Sequence, residues 1–245
     1  MKKIFLFLTL AATMLAGCNE DSFLEEKALD FNSASNSYST SADFDAAVAE
    51  LYYLTREEYY TTYDRTTDLS KFADMWITAD PLISNVVADL SPSGAIAQFY
   101  WDENYKLIAQ ANTVISRLPQ SSLTDEQKKV YEAQALFFRA LGYRTLVLLY
   151  GDVPLQLEEV TKPKTDFTRE SKDVVIAQCV KDLETSVANL PEISAVRDGE
   201  ISKPAANMLL AEFYLMQGEN GKAVDATTAV INNPNLALMT ERFGS

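Results

Sequence analysis

The chain contains no histidine, and that absence removes much of enzyme chemistry at once. No Ser-His-Asp or Cys-His nucleophilic site can be assembled. No histidine-ligated zinc site of the common kinds can form, and neither a metal nor an organic cofactor is expected. Cysteine is nearly absent too: Cys18 and Cys179 are the two in 245 residues. Once Cys18 is consumed at the amino terminus, as argued below, no intramolecular disulfide can form. Cys179 stands in the apolar helical run Ile176-Ala177-Gln178-Cys179-Val180, which predicts a buried, inert thiol. Positive charge is scarce, and the balance of 21 Lys+Arg against 35 Asp+Glu leaves a net charge of −14. Such a surface repels phosphate backbones, so nucleic acid is not expected as a partner.

What is present begins at the amino terminus. Lys2 and Lys3 precede an apolar and small-residue run from Ile4 to Ala16, followed by Gly17 and Cys18. A charged start, a short apolar stretch and small residues before the cut describe a secretory signal. The run is too short for a membrane span, which takes about 20 apolar residues. Leu15-Ala16-Gly17-Cys18 resembles the bacterial lipoprotein signal, which implies cleavage before Cys18 and lipidation of that residue. The organisation expected is a signal peptide over 1–17, a lipidated flexible tether over 18–42, and a helical domain over 43–245. The tether is crowded with Ser33, Ser35, Ser37, Ser39, Thr40 and Ser41 and buries too little to offset its ordering entropy.

Beyond the tether the apolar spacing is helical. Phe44, Val48, Leu51, Thr55 and Tyr59 recur at three or four residues from near Asp43, with Ser41 or Asp43 as the cap. Pro81 and Pro92 limit helices between 68 and 90 to short pieces. A helix over about 96–118 carries the stripe Trp101, Tyr105, Ile108, Ala111, Ile115 and Leu118, and Pro119 stops it. Thr124 with Gln127 three later reads as a capping box for a helix over about 125–149. That helix is apolar on more than one side, with Leu141, Thr145 and Leu148 opposite Tyr131, Ala135, Phe138 and Leu149, so it is expected at the centre of a core. Residues 152–171 read as a long loop with Val153-Pro154-Leu155 packed back. Helices follow over about 172–189, 204–217 and 219–232, punctuated by Pro191, Gly218 and Asn232-Asn233-Pro234. No stretch alternates like a strand, so the fold class is all-α.

Leu210, Ala211, Tyr214, Ala223 and Pro234 fall close to the spacing of a tetratricopeptide repeat. A second frame starts at Leu136, Ala140 and Tyr143 and continues in the 172–189 helix. Repeat pairs need neighbours to bury their faces. The chain ends at Phe243-Gly244-Ser245 soon after a helix, so truncation at the carboxyl terminus is expected.

The segment Glu132-Ala133-Gln134-Ala135-Leu136-Phe137-Phe138-Arg139-Ala140, continuing to Leu149-Tyr150-Gly151-Asp152-Val153-Pro154-Leu155, resembles the RagB/SusD family of outer-membrane nutrient-binding lipoproteins. So do Tyr105 to Ile115 with Asn112 in its usual place, Asp182-Leu183-Glu184, and Ser202-Lys203-Pro204. Gly142 and Arg144 depart from the family's aromatic preference. The resemblance implies a tetratricopeptide-like scaffold that captures an oligosaccharide, or a peptide, without catalysis. It implies a lid on a TonB-dependent (SusC-like) outer-membrane barrel and a lipid-anchored position on the extracellular side. Rival readings are a tetratricopeptide-type scaffold that binds protein and a glycoside hydrolase.

Sugar capture needs flat rings with polar groups at their edges. Trp76, Tyr59, Tyr60 and Tyr63 lie where helices break and are the ligand-binding candidates, with Asp64, Arg65 and Asn85 as polar partners. Trp101 lies on a helical stripe and is expected in the core. Glu57, Glu58, Asp74, Asp80 and Asp89 could supply a hydrolytic carboxylate pair, but acids are abundant and a solvated surface is the expectation. Arg139 is expected as a buried partner for a carboxylate or a helix-end carbonyl, Gly151 at positive φ, and Asp152 as a cap on the turn that Pro154 fixes.

Overall fold

A computed structural model describes residues 37–60 and 95–238. Cys18, Tyr63, Trp76, Asp64, Arg65, Asn85 and the acids Asp74, Asp80 and Asp89 lie outside the described residues, as does the prolyl stretch around Pro81. The helices are α1 (Ser41–Tyr60), α2 (Ala95–Arg117), α3 (Asp125–Tyr150), α4 (Lys172–Asn189), α5 (Lys203–Met216) and α6 (Asn220–Ile231), with one-turn 3₁₀ segments at Leu118–Gln120 and Ile193–Ala195. No strand is present among the described residues; Val153 and Glu170 form one isolated antiparallel bridge.

Local chemistry sets most boundaries. Thr124 accepts from the Gln127 amide while the Gln127 side chain takes the Thr124 N–H, a complete capping box. Ser171 caps α4 through the Val174 amide. Pro119 falls in the 3₁₀ turn that ends α2, and Gly218, at φ 76, lets the chain leave α5. The first helix starts at Ser41, earlier than the apolar period suggests. Asp43 Oδ2 accepts from the backbone of Ser39 at 3.0 Å and of Thr40 at 2.7 Å, so this acid satisfies donors before the helix. Tyr38 also packs edge-on against Phe44, so the helical unit begins before position 43.

Paired contacts give the topology. Glu58 meets Asn104 while the Ala47 carbonyl meets Gln110, so α1 and α2 are antiparallel. The same reversal links α2 to α3 (Asn112 to Arg139, Ala97 to Tyr150), α3 to α4 (Arg139 to Asp182, Ala133 to Ser186), and α4 to α5 (Glu184 to Tyr214, Pro191 to Lys203). Alternate helices therefore run parallel, as Asp45 to Tyr131 and Glu58 to Thr145 show for α1 and α3. Each helix packs chiefly on its neighbour in the chain, the arrangement of stacked helical repeats.

The core runs through all six described helices. Phe44, Leu51, Leu107, Ile108, Phe138, Leu146, Ile176, Leu183 and Phe213 are essentially inaccessible, and each such side chain contributes about 1.5–3 kcal/mol by leaving water. The middle of α3 is buried without interruption from Ala135 to Ala140. Its end is not: Leu148 and Leu149 are exposed, although Tyr150 in the same turn reaches the Ala97 carbonyl of α2. Leu210, Ala211, Tyr214 and Ala223 are buried between α5 and its neighbours, and the small residues permit the approach. Gly142 does the same for α2 and α3. A Cβ there would lie 3.1 Å from Ile108 Cγ1 and 3.3 Å from the Asn104 carbonyl oxygen. Arg144 forms an ion pair with Glu212 on α5. Cys179 is buried, and burial pushes its thiol well above the usual range, consistent with an inert side chain.

Candidate functional site

Arg139 organises the region that follows α3. Its guanidinium grips Asp182 on α4 with two bonds, Nε to Oδ2 at 2.7 Å and Nη2 to Oδ1 at 2.8 Å. Nη1 reaches Asn112 Oδ1 on α2 at 3.0 Å and the Leu157 carbonyl at 3.3 Å. Gln178 adds a bond to Asp182 Oδ1 at 2.8 Å. One buried cation therefore ties three helices and a loop together. Taking such a pair out of water is costly, and the cost is met here by filling nearly every donor and acceptor.

The same network fixes residues 153–159. Asn112 Nδ2 donates to the carbonyls of Gln156 at 3.0 Å and Glu158 at 3.4 Å. Tyr105 donates its hydroxyl to the Pro154 carbonyl at 2.8 Å, and Tyr143 donates to the Gln156 carbonyl at 3.0 Å while accepting from the Gln156 N–H. Burial pushes both phenols up, so each stays a neutral donor. Arg117 holds Glu159 with bonds of 2.9 and 2.7 Å. Gly151 supplies the turn at φ 73. Asp152 caps more than a local turn: its Oδ1 accepts from the Lys172 N–H at 2.9 Å, at the start of α4 and across the loop.

Between α2 and this pinned segment lies a cavity of about 420 Å³. Trp101, Tyr105 and Ile108 form the helix side; Pro154, Val160 and Phe167 form the loop side. Trp101 is half-buried: it packs against the edge of the core beside Tyr150 of α3, and its other side lines the cavity. Its ring centroid lies 4.9 Å from Tyr105 and 5.1 Å from Tyr150, so its orientation is set by packing. Phe167 is partly exposed, with Lys164 Nζ 5.2 Å over its ring. A larger groove of about 720 Å³ between α1, α3 and the 197–200 turn is lined by Asp45, Glu126, Asp198 and Glu200.

Of the residues singled out for ligand binding, Tyr59 is not part of either lining. Tyr59 lies half-buried near the end of α1, and burial pushes its phenol up. Tyr60 closes that helix. Tyr63 and Trp76 lie outside the described residues. Glu58 corrects the expectation of a solvated acid: only 2% of it is exposed, and it accepts from Asn104 and Thr145, each at 3.3 Å. It faces the bundle because it follows the inward stripe of α1, and burial raises its carboxyl. The cavity residues Tyr105 and Phe167 were not among the candidates. The four-residue spacing of Trp101 and Tyr105 on α2 was the signal available for the pair, and nothing local marked Phe167.

Comparison with known proteins places this geometry. Residues 1–19 match the prokaryotic membrane lipoprotein lipid attachment site, which includes Cys18. The chain is 28% identical over 244 residues to SusD-like protein P2 of Formosa agariphila, covering 95% of this chain and 47% of that protein. It superposes on a laminarin-binding SusD-like protein with a TM-score of 0.69 at 25% identity, over 81% of this chain and 45% of the other. A SusD superfamily protein from Bacteroides vulgatus gives 0.70 at 18% identity over 81% of this chain and 45% of the other. The chain thus spans about half the length of the relatives it matches. Residues 22–215 match the SusD-like family described as starch-binding and associating with the outer membrane, and with that match over most of its length the chain belongs to the SusD-like family.

Proposed function

We propose that the protein is a non-enzymatic nutrient-binding lipoprotein, held at the outer membrane through Cys18 and facing outward, that captures an oligosaccharide and delivers it to a TonB-dependent barrel. The observation that carries this reading is the family match over residues 22–215 joined to a lipid-attachment site at residues 1–19. The named ligand of a structural relative, laminarin, makes a glycan the first ligand to test. Tyr59, Tyr60, Tyr63 and Trp76 are the proposed sugar-contacting rings, stacking on pyranose faces while polar neighbours read hydroxyls. The lipid tether supports a soluble scaffold at the bilayer, since each buried CH₂ contributes about 0.8 kcal/mol.

Calorimetry of the full-length protein against a panel of glycans and peptides tests the reading. Binding of a glycan without release of reducing ends, together with co-purification of a barrel protein, is the expected result. Release of reducing ends would replace the reading with a hydrolase. Silence with every glycan and peptide, alongside tight binding to another protein of the envelope, would replace it with a protein-binding scaffold.

A further inference from the structure

The cavity between α2 and residues 154–167 has a lining whose polar atoms are almost all spent. Asn112 uses its carbonyl oxygen on Arg139 and its amide on Gln156 and Glu158. Tyr105 uses its hydroxyl on the Pro154 carbonyl, and Gln156 Nε2 donates to the Leu155 carbonyl at 3.3 Å. The remaining walls are Trp101, Ile108, Ala109, Val160 and Phe167. A bare sugar placed here would lose water from its hydroxyls and find few partners, and each group left unsatisfied weakens binding. A flat apolar group carries no such penalty and gains ring packing against Trp101 and Tyr105. The volume of about 420 Å³ is near the small end of ligand cavities, about 300–1,000 Å³, so it suits one ring and its linker rather than an extended chain. Glu158 also lines the cavity and is exposed to solvent.

We propose that this cavity receives the aromatic ring of a substituted glycan, such as a hydroxycinnamoyl ester, while the sugar itself lies outside it. The ligand class rests on the nutrient-binding reading; the preference of the cavity for a ring rests on its lining alone. The wall that receives the ring is held in place before binding by Arg139 and Asn112, so little ordering is left for the ligand to drive.

Saturation-transfer NMR of the full-length protein with ethyl ferulate as the probe reads the cavity directly. Transfer to the ring protons is expected, with none to methyl β-xyloside. Ala109 is exposed on α2 and lines the cavity, so Ala109→Phe fills the space without touching the core and should abolish the transfer; circular dichroism checks that the variant is folded. No transfer in the parent protein, or transfer unchanged by Ala109→Phe, overturns the proposal. Titration with a feruloylated arabinoxylo-oligosaccharide before and after alkaline removal of the ester then locates the source of the ring. Binding at least about tenfold tighter for the esterified form, near 1.4 kcal/mol, and tighter than for ethyl ferulate, supports a ring carried on the captured glycan. Equal affinity for the two forms overturns that assignment and leaves nutrient binding standing. Ring binding with no affinity for any glycan would overturn the nutrient reading and not the cavity.

Discussion

Arg139 and Asp182 meet in a two-pronged ion pair, 2.7 and 2.8 Å long, with 6% and 3% of their side chains exposed. Such a pair is worth little as a net gain, because desolvation offsets attraction. Its importance is that each charge becomes costly without the other. Arg139→Met strands Asp182 in a dry setting without its cation and leaves Asn112 Oδ1 and the Leu157 carbonyl without this donor. Urea denaturation should show a loss of about 3–5 kcal/mol. Adding Asp182→Leu should recover part of that loss, and a double variant no more stable than the single one would show that the stranded charge is not the cause.

Glu58 presents the opposite case. Its carboxylate is buried beside Asn104, whose Oδ1 is also buried and has no donor among the described residues. Burial raises the Glu58 carboxyl, with bonds from Asn104 and Thr145 opposing in part. A raised carboxyl means that the folded state holds the proton more tightly than the unfolded chain. Its contribution to stability is therefore complete below the ordinary carboxylate range and is lost as pH rises through that range to the folded value. Glu58→Gln removes the charge and brings an amide donor next to Asn104. At neutral pH it should stabilise by about 1–2 kcal/mol, and the gain should shrink in acid. Thermal melts at both pH values check this, and an undiminished gain in acid would remove the charge from the explanation.

These two sites show where sequence reading reaches and where it stops. Helix ends are local events: Thr124 with Gln127, Ser171, Pro119 and Gly218 each act on groups within a few positions, and each is legible in the sequence. The need of Arg139 for a buried partner, a carboxylate or a helix-end carbonyl, is legible from its place in an apolar run. Which of 35 acids supplies it is a tertiary fact. Apolar period also says how greasy a face is and not what lies opposite. Trp101 fits a core stripe but is only half-buried at the core's edge, Leu148 and Leu149 fit one and face water, and Glu58 breaks one and is buried. The cavity was missed for the same reason, since its two sides are brought together by long-range bonds from Arg139, Asn112, Tyr105, Tyr143 and Arg117.

Gly142 sets two effects against each other. Alanine is favoured over glycine inside a helix by about 1 kcal/mol. Its Cβ would press on Ile108 at 3.1 Å and on a backbone oxygen at 3.3 Å, and overpacking costs about 1–3 kcal/mol. The backbone atom cannot swing aside as a side chain can, so Gly142→Ala should lower stability by about 1 kcal/mol. Guanidinium titration is the measurement, and an increase would show that α2 yields easily.

Cys18 tests the anchor separately from the fold. Cys18→Ala should abolish incorporation of labelled palmitate and release the protein from the membrane fraction. The far-ultraviolet spectrum should stay helical, because the described helices begin at Ser41. Retention of the variant in the membrane fraction would assign attachment to a protein partner rather than to acyl chains.

Asn112 separates the loop from the ion pair beneath it. Asn112→Asp keeps an oxygen for Arg139 Nη1 but removes the amide that donates to the Gln156 and Glu158 carbonyls. A second carboxylate near Arg139 also competes with Asp182 for the cation. The ion pair should survive while the loop loses its hold, so amide exchange should quicken over residues 153–160 and change little in α3 and α4. Arg139→Met, by contrast, should quicken both. A cavity that depends on a preset wall should then bind its ligand more weakly in Asn112→Asp, although none of the aromatic lining has been altered. Faster exchange with unchanged affinity would mean that the wall reforms around the ligand, and that the Arg139–Asn112 network serves stability alone.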